Sequence, residues 1–248
     1  MSARDTRRVR LAPGYILHHQ PYRDTSRILE VLTRDHGRFT LFARGVRGPK
    51  AKLTAVLQPF QPLLLSWSGR GEAAQLTGAE LIAPSGCVAP ACLMSCFYLS
   101  ELLLKLTTRH DPHPGLFNAY HAAMEAFKEP APQRALIEAT LRIFEKRLLE
   151  EVGYGLDLAA ESGSARTIDP EAFYYFRAAQ GLVPATPDAP GALPGSSLVS
   201  LAREQLTSAR ELEDARCVLK EALAHCLEGR ELTTRAVARS IARRESRT

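Results

Sequence analysis

Arg38, Thr40, Phe42 and Arg44 alternate with Phe39, Leu41 and Ala43 in one short run of the chain. Period-two alternation marks a half-buried strand, so the first set shares one face and the second set the other. Three further cations, Arg47, Lys50 and Lys52, follow in the loop Gly45-Val-Arg-Gly-Pro-Lys-Ala-Lys52. Cationic side chains neutralise phosphates, and an aromatic ring between them stacks on a base. That is the chemistry of single-strand nucleic-acid binding, and it needs no covalent step. The same pattern also describes a solvated sheet face with one Phe covered by another part of the chain.

The remaining reactive residue types form no comparable pattern. Cys87, Cys92 and Cys96 lack the tight C-x2-C knuckle of a structural zinc site, and Cys217 and Cys226 stand far away. An odd count of five argues against a disulfide framework and reads as small apolar filler near a helix start. Neither Gly45-Val-Arg-Gly48 nor Gly69-Arg-Gly71 is followed by Gly-Lys-Ser/Thr, so neither is a phosphate loop. Asp157 and Glu161 have nothing nearby that suggests acid/base work. Arg239, Arg243 and Arg244 give the last helix a basic end, which suits the helix dipole or a second nucleic-acid contact. No catalytic residue, no metal ligand and no cofactor is expected, and the chain reads as a non-enzyme.

Charge is distributed unevenly over the 248 residues. Residues 1–80 hold 13 Lys and Arg against six Asp and Glu, a net of +7, while residues 81–248 hold 19 against 21, a net of −2. A basic first third on a near-neutral remainder points to a polyanion-binding N-terminal module. No run of 18 apolar residues and no signal-peptide core is present, so a cytoplasmic protein is expected.

The elements that must position these residues are strands first and helices later. Tyr15-Ile-Leu-His18, residues 27–33, residues 38–44, Leu63-Leu-Leu-Ser-Trp67 and a weaker stretch at 75–80 read as five short strands. Pro59 and Pro62 require the fourth strand to begin after them or to run at an edge. Five strands in about 80 residues is the size of an OB-fold barrel, and an SH3-like barrel fits nearly as well. From about Leu93 the period becomes helical. Ile137, Leu141, Phe144, Leu148 and Val152 step by four, three, four and four, and Gly153 ends that helix. Residues 156–197, with Pro184, Pro187, Pro190, Gly191, Pro194 and Gly195, read as an irregular, flexible loop. Helices follow near 198–206, 209–227 and 232–242. The expected fold class is α+β, with a barrel over residues 1–82 and a helical domain over 83–248.

With those residues in view, the chain resembles the RecO family of DNA repair proteins, in its proteobacterial form. The resemblance runs from about residue 10 to 244. It is carried by Tyr22-Arg-Asp-Thr-Ser-Arg-Ile-Leu, Gly37-Arg-Phe-Thr-Leu-Phe-Ala-Arg-Gly-Val-Arg47, Leu57-Gln-Pro-Phe-Gln-Pro, Gly69-Arg-Gly-Glu72, Tyr98-Leu-Ser-Glu-Leu-Leu103, Phe144-Glu-Lys-Arg-Leu-Leu-Glu-Glu-Val-Gly-Tyr154 and Leu227-Glu-Gly-Arg-Glu-Leu-Thr-Thr-Arg235. It implies an N-terminal OB-fold and a helical domain, and a recombination mediator that binds single- and double-stranded DNA and anneals complementary strands. It also implies binding to the acidic C-terminal tail of the single-strand binding protein SSB, and action with RecR to load RecA. Many members carry a four-cysteine zinc module after the Gly-Tyr block. Here residues 153–195 contain no cysteine, so zinc is not expected.

A tail with acidic residues and an apolar C-terminus needs an apolar pocket rimmed by cations. Tyr98, Leu102, Phe117 and Leu141 offer apolar walls. Arg142 stands where the resemblance implies a basic tail-binding residue, with Lys105 and Lys146 as rim cations. The competing reading of Arg142 is an i−4 pair with Glu138. A monomer is expected for the chain alone. The alternative function is a basic OB-fold RNA-binding or ribosome-associated factor, which would have no use for the SSB tail.

Overall fold

β1 spans the fifteen residues Arg8–Tyr22 and serves two neighbours at once. Its second half pairs antiparallel with β2 (Ser26–Thr33), and its first half pairs antiparallel with β4 (Leu63–Ser68). The sequence suggested only a short strand at Tyr15, because Pro13-Gly14 reads as a turn. The strand instead continues through this dipeptide, and register shifts after Val9 and after Ile16 let it bend. β3 (Gly37–Ala43) pairs with β2, and β5 (Gln75–Leu81) pairs with β4. β3 and β5 meet in parallel at Phe42 and Gln75, closing a barrel in the order β1-β2-β3-β5-β4. This is the five-stranded barrel expected of an OB-fold. β4 begins directly after Pro62, as the missing proline donor requires.

In this computed structural model the described residues are 8–47, 53–69, 74–82, 86–164 and 166–245, with side chains described up to residue 240. They divide into two compact units, Met1–Pro130 and Ala131–Thr248. No helix among them is long and apolar enough to cross a membrane.

The barrel interior is filled from alternate positions. Ile16, Leu29, Val31, Phe39, Leu41, Leu63, Leu65 and Trp67 form its core. The first unit also includes α1 (Leu93–Leu106) and α2 (Pro114–Ala126). They pack on the barrel through its outer face. The Tyr15 hydroxyl lies 2.6 Å from Nδ1 of His121, and its ring meets Tyr120 edge-on at 5.1 Å. The Tyr120 hydroxyl in turn bonds Ser100 of α1 at 2.8 Å. The turn between β2 and β3 needs Gly37, which has φ +67°, and a Cβ there would lie 2.3 Å from the Asp111 carbonyl oxygen.

The second unit contains α3 (Arg134–Glu151), α4 (Gly195–Ala202), α5 (Ala209–Leu227) and α6 (Thr233–Glu245). Between α3 and α4 the expected irregular loop is corrected by the structure. β6 (Phe173–Arg177), β7 (Gly181–Ala185) and β8 (Leu193–Pro194) form a three-stranded sheet in the order β7-β6-β8. Its prolines lie in β7, in β8 or in the connection between them, none of them in the central strand, which needs every N–H. Tyr174, Phe176 and Leu182 bury one face. Gly195 is packed tightly, since a Cβ there would lie 2.0 Å from the Asp169 carbonyl oxygen. Its N–H donates to the Ala172 carbonyl at 2.8 Å.

α5 starts on a capping box. Ser208 Oγ accepts from the Glu211 N–H, and the Glu211 carboxylate accepts from the Ser208 N–H at 2.7 Å. The same carboxylate also accepts from the Ser200 hydroxyl of α4 and the Thr207 N–H. These donors, Ser200 foremost, hold its pKa down at about 2. Glu204, two residues past the end of α4, bonds Arg147 and Lys146 of α3. Burial raises its carboxyl pKa, but those two cations outweigh burial and leave it below the ordinary range.

Two outcomes follow from these contacts. Gly37→Ala is expected to destabilise the first unit by more than about 1 kcal/mol, through both its φ and the clash with Asp111, read as a lower denaturant midpoint. The Glu211 carboxyl has a lower pKa folded than unfolded, so its stabilisation is full above pH ~4.5 and is lost as pH falls towards 2. The stability difference between the wild type and Glu211→Gln should therefore shrink over that window in pH-dependent unfolding; a constant difference would contradict the assignment.

Candidate nucleic-acid interface

β3 presents the two faces that its alternation predicts. Phe39, Leu41 and Ala43 are buried inside the barrel, and Arg38, Thr40 and Phe42 stand on the outer face. That outer face is divided along its length. At one end Tyr15, Leu17, Leu32 and Arg38 are buried. At the other end Gln20 and Tyr22 are exposed, and Ile28, Thr40 and Phe42 are partly exposed.

Arg38 is corrected from a ligand contact to a structural clamp. It is 9% exposed. Its Nε donates to Thr107 Oγ1 at 3.0 Å and its Nη2 to the Thr107 carbonyl at 2.8 Å, just beyond the end of α1. Nη1 donates to Glu30 of β2 at 3.2 Å. Burial lowers the guanidinium pKa, and Glu30 acts in the opposite direction. Glu30 also receives Arg109 and the Thr40 hydroxyl. Thr40 is therefore spent on the same carboxylate. The sequence gives the face of Arg38 correctly but not its cover, because Thr107 lies 69 residues away.

The open end gathers a different set. Phe42 meets Tyr22 edge-on at 5.8 Å, and the Arg23 guanidinium lies 5.2 Å from the centre of the Tyr22 ring. Tyr22 is 37% exposed. Arg47 donates through Nη1 to the Arg23 carbonyl at 3.1 Å, and its own N–H donates to the Thr25 carbonyl at 2.9 Å. The basic loop after β3 is thus fastened to the tip of the β1–β2 hairpin. Arg44, just past the end of β3, is exposed. Of the sequence-derived set, the structure brings Phe42, Arg44 and Arg47 to one region and removes Arg38. Lys50 and Lys52 lie outside the described residues. Tyr22 and Arg23 were missed. Their signal was an aromatic–Arg pair at the tip of a hairpin whose far end meets the end of β3. Two rings and three guanidinium groups can stack on bases and neutralise phosphates.

The residues expected to receive an acidic tail fall in both units. In the first unit Tyr98 and Phe117 are nearly buried, and Lys105 lies 3.8 Å from Glu101 on α1. Leu102 is fully buried and so presents no wall to an open surface, which corrects its expected place. In the second unit Leu141 is partly exposed. Arg142 does not pair with Glu138, which is taken by Arg134 at 2.7 Å. Its Nη2 instead donates to the buried Glu145 carboxylate at 2.6 Å, and its Nε is buried without a hydrogen-bond partner. Lys146 faces Glu150 at 2.8 Å and Glu204 at 3.2 Å.

Among the described residues, no group of three or more His, Cys, Asp and Glu side chains is placed to hold a metal ion. Cys92, Cys96 and Cys226 are buried, and burial pushes the Cys96 thiol up to about 12.

Comparison with known proteins agrees with this architecture. The family model described as "Recombination protein O N terminal" matches residues 9–85, which contain the barrel. The one described as "Recombination protein O C terminal" matches residues 91–243. The DNA repair protein RecO of Methylococcus capsulatus is 40% identical over 95% of this chain and 96% of its own length. Those of Dechloromonas aromatica and Nitrosococcus oceani are 39% and 40% identical, covering 92% and 95% of this chain and 95% of each relative. With both family models matched in order and such relatives spanning nearly its whole length, the chain belongs to the RecO family.

Proposed function

We propose that this chain is a non-enzymatic mediator of DNA repair that grips single-stranded DNA at the open end of its barrel. The observation that carries this reading is the cluster of Tyr22, Arg23, Phe42, Arg44 and Arg47 at the hairpin tip. Rings for bases and guanidinium groups for phosphates occur there together, on a face that α1 and α2 leave open. The relatives named DNA repair protein RecO support a repair role.

The finer steps follow from charge. Shielding phosphates lets two complementary strands approach, so the same surface favours annealing. A second anion site, around Arg142, receives the acidic tail of SSB. The unpartnered Nε of Arg142 supports this, because a buried donor left without an acceptor costs about 1–3 kcal/mol, which an anion reaching it would relieve. Holding SSB while gripping the strand it covers is the physical content of mediation, with RecR as co-factor protein and RecA as the protein finally loaded. No cofactor takes part in this scheme, and it places the protein in the cytoplasm with the DNA.

Double reversal at Arg44→Glu and Arg47→Glu is expected to weaken oligothymidylate binding at least tenfold and to make the slope of log affinity against log salt shallower by more than about 1. An unaltered slope would place the strand elsewhere. Arg142→Ala should lose a labelled SSB-tail peptide in anisotropy titrations while oligothymidylate binding stays within about twofold of wild type. Retention of peptide affinity would remove Arg142 from the site. Absence of peptide binding by the wild type would favour an RNA-binding factor over a mediator.

A further inference from the structure

We infer that Arg23 gates the Tyr22 ring: its guanidinium covers the ring in the free protein and yields it to an unpaired base, so that the open end of the barrel selects strands with free bases over a bare phosphate backbone; this rests on the reading of that end as a single-strand site. Arg23 opens the turn between β1 and β2, where Tyr22 pairs with Ser26. Its guanidinium lies over the Tyr22 ring, 5.2 Å from the ring centre, within the range of a cation–π contact. Both residues are exposed, so the contact is among the weaker of its kind. Among the described residues no carboxylate holds this guanidinium. Neighbouring cations of the barrel are held more firmly. Arg38 and Arg109 share Glu30, and Arg27 donates to the Leu57 carbonyl at 3.2 Å.

The backbone fixes where this side chain starts. Arg23 has φ +52°, a left-handed conformation that glycine adopts freely and arginine does not. Strain of this kind persists where the surroundings hold it, and it gathers at ligand sites. Here the hold comes from Arg47. Its Nη1 donates to the Arg23 carbonyl at 3.1 Å, and its N–H donates to the Thr25 carbonyl at 2.9 Å. Those two bonds use only main-chain oxygens of the turn, which a glycine at position 23 would supply equally well. What arginine adds at this strained position is its side chain, and that side chain lies on the ring.

Selectivity follows from competition for one position. Phe42 touches the Tyr22 ring edge-on, with the two planes at 71°, so the stacked position on Tyr22 is the one that Arg23 fills. A base and a guanidinium both bind an aromatic ring through its face, and they cannot share it. An arriving base displaces Arg23, and the freed guanidinium turns to a phosphate of the same strand. One cation–π contact is exchanged for a base stack and an ion pair. A backbone without bases has nothing to place on the ring, so Arg23 stays where it is. The gate therefore converts the presence of a free base into one further phosphate contact.

The test uses the full chain against an oligothymidylate and an abasic strand of equal length. Arg23→Ala is expected to weaken oligothymidylate binding about fivefold and to make its salt slope shallower by about 0.7, the share of one phosphate on a single strand, with the abasic slope unchanged. In a Tyr22→Leu background the ring is gone, and Arg23→Ala should then shift both slopes. Arg23→Gly should bind as Arg23→Ala does, while unfolding at a higher denaturant concentration than Arg23→Ala. An equal shift on both strands with Tyr22 in place overturns the proposal and makes Arg23 an ordinary phosphate contact. No shift on either strand overturns it too, and so does binding restored by Arg23→Gly, since the backbone would then be the cause. If the wild type binds oligothymidylate no better than the abasic strand, bases do not stack on the barrel and the functional reading itself fails; if it prefers oligothymidylate and only the Arg23 result is negative, the barrel site stands and the gate alone is excluded.

Discussion

The guanidinium of Arg38 is the joint on which the first unit depends. It leaves β3 on the outer face of the barrel and is received by the side chain and carbonyl of Thr107, just past the end of α1. Glu30 compensates the charge from the neighbouring strand. Removing Glu30 would leave the buried Arg38 charge without its carboxylate, at a cost of about 3–5 kcal/mol, whereas Glu30 keeps Arg109 when Arg38 is removed. The clamp also determines what the sheet can offer to a ligand. By covering one end of the outer face it confines the accessible surface to the end that holds Tyr22, Phe42 and Arg44.

Much of this arrangement was legible in the residues, and the parts that were not share a cause. The bounds of α5 agree with the expected 209–227, and both of its ends are chemically marked, by Ser208 with Glu211 before it and by Gly229, with φ +81°, after it. The inward and outward faces of β3 could be read because period two is a local property. Arg38 and Leu102 could not be assigned, since what covers them is decided by residues distant in sequence. The small β7-β6-β8 sheet was hidden by its prolines. They mark a loop by composition, yet Pro184 and Pro194 lie in the two outer strands and Pro187 and Pro190 in the connection between them. Pro13-Gly14 misled in the same way, since bulges let β1 carry a dipeptide that ordinarily breaks a strand.

The distribution of charge also takes on a more definite meaning. A net of +5 over the chain averages over a basic barrel, an acidic body in the second unit and a basic terminal helix. Arg142 stands within the acidic body as an exception, bonded to one carboxylate and holding a donor in reserve. In the proposed reading, long-range attraction of a polyanion falls to the basic barrel, while a short acidic peptide needs only a local cation and an apolar setting.

The barrel seam has a consequence of its own. β3 and β5 meet at a single parallel pair, Phe42 with Gln75, supported by the Phe42 N–H donating to the Ala74 carbonyl at 3.0 Å. Every other neighbouring pair in the barrel shares a ladder of five or more residues. The ring of Phe42 therefore sits on the same residue whose amide closes the barrel where it is held by the fewest hydrogen bonds. In the proposed reading, a base stacked on that ring would also steady the closure, and opening of the seam would withdraw the stacking platform. On that reading, stacking on Phe42 and closure of the seam therefore favour one another through a single residue.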